Sequence, residues 1–197
     1  SVFLHHGADG LGTTIRNDGN GVLRLTNVTV SGKSGGGENN SGAAVANGSD
    51  YPMYRGVPSL QLINVTIADN QTLGLLNHGK LLIRNSLIAG NRLGAMPANC
   101  LNHGDYLMRD LLLGTDQGNC TSDVPVDDAL TFSHVLYPLA DNGGSTWTHA
   151  LRRLSPAVDS TVGLCVESDQ RRVPRPRDGD GDGVAVCDLG AYERTLP

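Results

Sequence analysis

Asp178, Asp180 and Asp182, followed by Gly183, have the spacing best suited to chemistry in this chain. Alternating carboxylates can converge on one hard cation while glycine allows the sharp turn, as in the first half of a calcium loop. The place of the bidentate acid that closes such a loop is taken by Leu189, so Asp188 or Glu193 would have to serve instead. Structural Ca2+ on Asp178, Asp180, Asp182 and Asp188 is therefore one expectation, and a solvated acidic turn is the other.

Arg84 and Arg109 hold the same place in two successive repeats, where stacked guanidinium groups could grip the carboxylate of a uronic acid. They come nearest to a catalytic set, since a polysaccharide lyase abstracts a proton beside such a carboxylate with Arg or Lys. No acids share their face, and Asp69 and Asp116 do not form the flanking carboxylate pair that glycoside hydrolysis needs. The segment around Tyr51, Tyr54 and Arg55 is the candidate carbohydrate contact, because exposed Tyr faces stack on sugar rings. The other expectation there is that both Tyr fold back over apolar side chains. His5 and His6 could ligate a metal. His78 and His103 sit before a repeated Gly and are better read as turn residues.

These side chains are carried by repeats. Leu23-Arg24-Leu25-Thr26-Asn27-Val28-Thr29-Val30 returns as Leu60–Ile67 and Leu81–Ile88, and in worn form as Tyr106–Leu113. A shorter repeat precedes each copy, ending at Asn17, Asn47, Asn77 and Asn102. Alternating apolar positions before the repeated Asn predict a strand, with Arg24, Gln61, Leu82 and Leu107 and then Thr26, Ile63, Arg84 and Arg109 facing outward. The Asn column itself predicts a turn, with stacked Asn side chains bonding to one another. Repeats this short must stack to bury an apolar face, and a coil of about 21 residues with bulging loops fits them. The predicted fold is all-β: a right-handed single-stranded parallel β-helix, with an irregular disulfide-closed C-terminal cap. The expected division is 1–120 for the coils and 121–197 for the cap.

The chain has 197 residues, 26 of them Gly, and a net charge of −5. That balance argues against nucleic acid or an anionic membrane surface as partner. No apolar run approaches the ~20 residues of a membrane-spanning helix. Four cysteines allow three pairings; Cys100 with Cys120 and Cys165 with Cys187 are expected because each pair flanks a compact loop. Neither pair has zinc spacing, so an oxidising compartment is the expectation.

From about Thr121 the repeat stops. Pro138-Leu139-Ala140-Asp141-Asn142-Gly143-Gly144, Thr148-His149-Ala150-Leu151, Ser155-Pro156-Ala157-Val158-Asp159, Asp169-Gln170-Arg171, Pro174-Arg175-Pro176, the Asp178–Gly183 run and Cys187-Asp188-Leu189-Gly190-Ala191-Tyr192-Glu193 follow in order. Together they resemble the C-terminal module of bacterial choice-of-anchor Q proteins, over residues 80–194 at least. The resemblance implies export and a secreted or cell-surface life, but no reaction. His149, Asp159, Asp169 and Arg171 belong to these motifs and are expected to form a buried polar network. The start at Ser1 suggests a removed leader or a fragment. With no apolar anchor before Pro197, secretion, trimming or another means of surface attachment is expected. Residues 1–14 contain no helix able to lid an open first coil. Self-association there, or further upstream chain, is therefore expected, with Phe3 and Leu4 near the exposed core. The function expected is a structural or carbohydrate-binding module at the cell envelope, with extracellular polysaccharide as partner; the alternative is a polysaccharide lyase or glycoside hydrolase.

Overall fold

The computed structural model describes residues 2–3 (backbone only), 13–34, 42–49 and 56–196. In chain order its strands are β1 Val2–Phe3, β2 Ile15–Asn17, β3 Val22–Ser31, β4 Ala43–Asn47, β5 Ser59–Ala68, β6 Leu73–Asn77 and β7 Lys80–Ala89. They continue with β8 Arg92–Leu93, β9 Met96–Pro97, β10 Cys100–Asn102, β11 Asp105–Gly114, β12 Val124–Val126, β13 Leu136–Ala140 and β14 Thr148–Leu151. The long copies of the repeat become β3, β5, β7 and β11, and the short copies become β2, β4, β6 and β10.

The long strands form a parallel sheet in the order β1-β3-β5-β7-β11-β12, and the short ones a second parallel sheet in the order β10-β6-β4-β2. Register follows the repeat: Leu23 faces Leu60, Leu60 faces Leu81, and Leu81 faces Tyr106. A slip of one residue would turn each apolar set to solvent, so the buried face holds this register.

The single-stranded right-handed β-helix is corrected by this arrangement. The two parallel sheets are separate and do not close into a solenoid; the antiparallel pair β8–β9 interrupts the order of repeats, and a second antiparallel pair, β13–β14, follows the last of them. The repeat specifies which strands stand side by side, but the segments joining them differ too much in length and sequence to give a uniform coil. The C-terminal part is more than a cap: β12 covers the last long strand, β11, but the chain beyond it runs back over the sheet. Residues 164–191 lie along the outer face of the long strands: Asn27 Nδ2 donates to Ser168 O at 2.7 Å, Thr29 Oγ1 to Gln170 Oε1 at 2.8 Å, and Gly190 N to Asn85 O at 2.9 Å. Gly190 has φ +92, and a Cβ there would meet Thr66 Oγ1 at 2.6 Å, so glycine is what lets this segment approach so closely.

The core between the two parallel sheets contains Leu60, Leu62, Leu75, Ile83 and Cys100, all fully buried. A second cluster joins the outer sides of the long strands (Ala68, Leu87, Leu112) to Leu136, Leu151, Ala157 and Leu189 of the later chain. Each buried Leu contributes about 1.5–3 kcal/mol. The repeated Asn27, Asn64, Asn85 and Asp110 have φ of 54, 52, 49 and 58°, left-handed values that Asn and Asp tolerate best among residues with a side chain. This turn inside the strand shifts the alternation by one, so Leu25 and Val28 both face the core. The expected turn is there, but the Asn column bonds the later chain through Asn27 and Asn85 rather than its own neighbours: Asn85 Nδ2 donates to Leu164 O at 3.3 Å. The ladder is built by the other column instead. Asn17 donates to Asn47 (2.8 Å), Asn47 to Asn77 (2.7 Å) and Asn77 to Asn102 (2.6 Å), all Nδ2 to Oδ1.

At the N-terminal edge, β1 pairs with Thr29 and Val30 of β3. The side chain of Phe3 and the whole of Leu4 lie outside the described residues, as do His5 and His6.

Candidate functional site

The first halves of β3, β5, β7 and β11 keep an outer face that the later chain leaves open. Its columns follow the register: Gln61, Leu82 and Leu107 in one, Ile63, Arg84 and Arg109 in the next. Lys80 stands against Asp105 at the near end. Between them is a depression of about 380 Å³ lined by Ser59, Gln61, Lys80, Leu82, Asp105 and Leu107, among others. Leu107 is 68% exposed, which is unusual for a leucine in a sheet and leaves apolar surface beside cations. The far side of the face is bounded by the segment carrying Leu164, itself 86% exposed, whose carbonyl accepts from Arg84 Nη2 at 3.3 Å.

Arg84 and Arg109 stand opposite one another on adjacent strands, as their spacing predicts, and neither has an ion pair among the described residues. Strand spacing sets their backbones about 4.8 Å apart. Burial pushes the carboxyl of neighbouring Asp110 upward, while a backbone hydrogen bond at Val162 and the two guanidinium groups pull it back. Tyr51, Tyr54 and Arg55 lie outside the described residues.

At the acidic run, one carboxylate oxygen each from Asp159, Asp178 and Asp180 lies within 4.8 Å of the others. Of the expected set, this group holds Asp178 and Asp180 but not Asp182 or Asp188. Asp182 Oδ1 is engaged by Val184 N–H at 2.7 Å. Asp188 is fully buried, accepting from Asp159 N at 2.8 Å and from Arg194 N. Burial, and then the charge of Glu193, push its carboxyl up to about 7. Asp159, twenty residues before the motif, takes their place. Its Oδ2 accepts from Gly179 N (2.9 Å) and Asp180 N (2.8 Å), while its Oδ1 is buried without a hydrogen-bond partner. Burial raises this carboxyl too. An all-oxygen donor set with one orphaned oxygen suits a hard cation such as Ca2+.

His78 and His103 stack with ring centroids 4.8 Å apart at their matching turns. His149 is buried, its Nε2 2.9 Å from Ser31 Oγ and its Nδ1 2.8 Å from Tyr137 O. A ring that donates from Nδ1 accepts the serine proton at Nε2, and burial lowers its pKa. Asp169 accepts from the backbone N–H groups of Arg171, Val173 and Glu193 and from Arg171 Nε. Sequence reasoning missed the centre of this network. Arg175 Nη1 donates to Glu193 Oε2 and to Asp188 O, and Nη2 to Gly190 O, each at 2.8 Å. Arg175 between two prolines gave a local signal, but not its partner.

The disulfides join Cys100 to Cys120 and Cys165 to Cys187, with Cα separations of 5.8 and 6.4 Å. Two formed disulfides are consistent with an extracellular protein. No helix among the described residues is long and apolar enough to cross a membrane. No family model, no curated protein and no solved structure matches the chain.

Proposed function

We propose that this is an exported, extracellular or cell-surface protein of bacteria that binds an extended acidic polysaccharide along the open face of its long-stranded sheet. The observation that carries this reading is the in-register pair Arg84 and Arg109, without ion pairs among the described residues, beside half-buried Leu82 and exposed Leu107. Guanidinium groups match carboxylates in geometry, and the apolar side chains offer surface to the less polar face of a sugar ring. The resemblance of residues 80–194 to choice-of-anchor Q proteins supports a life at the cell envelope, and the disulfides agree with it.

The test is binding to polygalacturonate, with dextran as the neutral control. A charge-assisted hydrogen bond contributes about 1.5–3 kcal/mol, so Arg84→Ala with Arg109→Ala should weaken binding at least roughly tenfold. Equal binding by the double variant, or equal affinity for dextran, would exclude this face. Release of unsaturated oligosaccharides would replace binding by lyase chemistry.

We propose Ca2+ as a structural ligand of Asp159, Asp178 and Asp180. An ion bound only by the native state stabilises it by mass action, so excess chelator should lower the melting temperature. Asp178→Asn should remove that sensitivity. A melt indifferent to chelator, with no metal by elemental analysis, would leave only an acidic turn.

A further inference from the structure

A second recess lies in the later chain, and none of its lining residues belongs to the acidic run. It measures about 330 Å³ and is lined by Gly144, Ser145, Gln170, Arg171 and Arg172. Its two arginines are in different situations. Arg171 is fully engaged: Nε and Nη2 with Asp169 at 2.8 Å, Nη2 with Glu193 O, Nη1 with Asn142 O at 3.3 Å, and its guanidinium 3.6 Å from the centre of the Tyr192 ring. Arg172 is exposed, and no hydrogen bond or ion pair engages its side chain among the described residues.

The backbone adds a second observation. Arg172 has φ 73°, in the left-handed region, at the close of a turn in which its N–H donates to Asp169 O at 3.0 Å. Glycine adopts that conformation without the clash that every other side chain meets there. The turn would therefore form more easily with Gly, and Arg occupies the position at a cost to folding. A strained residue whose side chain is left unpaired beside a recess points to a role for that side chain outside the fold. The recess itself is held in shape. Gly144 (φ +87) packs so closely that a Cβ would lie 2.8 Å from Arg171 Cα, and Gln170 Nε2 donates to Thr146 Oγ1 at 2.9 Å and Trp147 O at 3.0 Å.

We propose that this recess binds the carboxylate of an acidic sugar, with Arg172 as the charged contact. The ligand class rests on the acidic-glycan reading above, but the place is different and involves none of the sheet residues. Ser145 and the turn of Gly143 and Gly144 offer small polar surface beside the guanidinium. A single sugar unit suits a recess of this size better than a polymer running along a sheet.

Trp147 makes the test local. It is the only tryptophan, it is 49% exposed, and it lies two residues beyond Ser145. Titration with monomeric galacturonate should change its fluorescence saturably, in the unaltered chain and in the Arg84→Ala, Arg109→Ala double variant alike. Galactose, which lacks the carboxylate, should not. Arg172→Gly should weaken the response at least tenfold while leaving the melting temperature equal or higher, the opposite of what a structural arginine would do. Full response in Arg172→Gly, an equal response to galactose, or no saturable response would overturn the proposal. Loss of polygalacturonate binding only in the sheet variant, with Arg172→Gly unchanged in both assays, would sink the recess and keep the sheet. A Trp147 response with no binding to the sheet face would do the reverse.

Discussion

Arg175→Met should destabilise the protein by about 3–5 kcal/mol, the cost of leaving the partner of a buried ion pair uncompensated. Arg175 and Glu193 have side chains without exposed surface, 2.8 Å apart. The loss goes beyond one pair. The guanidinium also satisfies Asp188 O and Gly190 O, and Glu193 in turn accepts from Arg177 N at 2.8 Å and Asp188 N at 3.1 Å. Gly190 is one of the places where the later chain touches the long strands, so the effect should spread to the packing of Leu189 on Leu87 and Leu112. Urea unfolding followed by circular dichroism measures it. The double change Arg175→Met with Glu193→Gln should be less damaging than Arg175→Met alone, because no charge then stays buried without a partner. A loss below about 1 kcal/mol for the single change would show that water reaches this network and that it is not the anchor of the tail.

The next largest effect belongs to the Asn ladder. Asn77 accepts from Asn47 Nδ2 at 2.7 Å and from Gly79 N at 3.1 Å, and donates to Asn102 Oδ1, Gly79 O and Asp105 O. Asn77→Ala leaves several buried donors and acceptors without partners at about 1–3 kcal/mol each, partly relieved by local adjustment, so a total of about 2–4 kcal/mol is expected. Asn102→Ala should cost less, since Asn102 is only half buried at the end of the ladder. Thermal and urea melts of the two variants side by side test this. Equal, small losses at both positions would mean that the ladder is incidental to the stacking and that apolar contacts alone hold the strands.

Much of the sheet was legible in the residues. Leu23, Leu60 and Leu81 recur at one place in one pattern, and strand periodicity is a local property, so the pairing partners and even the register follow from aligning the copies. The outward placement of Arg84 and Arg109 follows from the same alternation. The two cysteine pairs could be read because each closes a short loop. The closure of the strands into one coil was not legible in this way. It depends on how joining segments of unequal length travel, and those segments produced two separate parallel sheets with an antiparallel pair, β8–β9, between repeats.

The sites show the same division. Asp178 and Asp180 announce an oxygen-rich loop by spacing alone, and the structure keeps both. Asp182 and Asp188 have the right type and a plausible distance along the chain. Spacing does not fix where a carboxylate ends up: Asp182 falls outside the three-acid group, and Asp188 is drawn into the interior, where Asp159 N and Arg194 N donate to it. Asp159 enters the loop through a fold-back that no local pattern records.

By itself the sequence determined the strands, their alternation, their stacking partners and the turn at the Asn column, and it favoured the local disulfides, because each depends on residues near one another or on exact repetition. Only the tertiary structure decided that residues 164–191 lie along the long strands, and that Asn27 and Asn85 hold them there. It also decided that Arg175 is matched with Glu193, and that Arg172, in a left-handed turn, has no side-chain partner among the described residues. Those outcomes join residues as far apart as Asn27 and Ser168, or Thr66 and Ala191. Chain entropy makes any one such contact improbable in the unfolded chain, and only the collective burial of the later chain against Ala68, Leu87 and Leu112 selects them together.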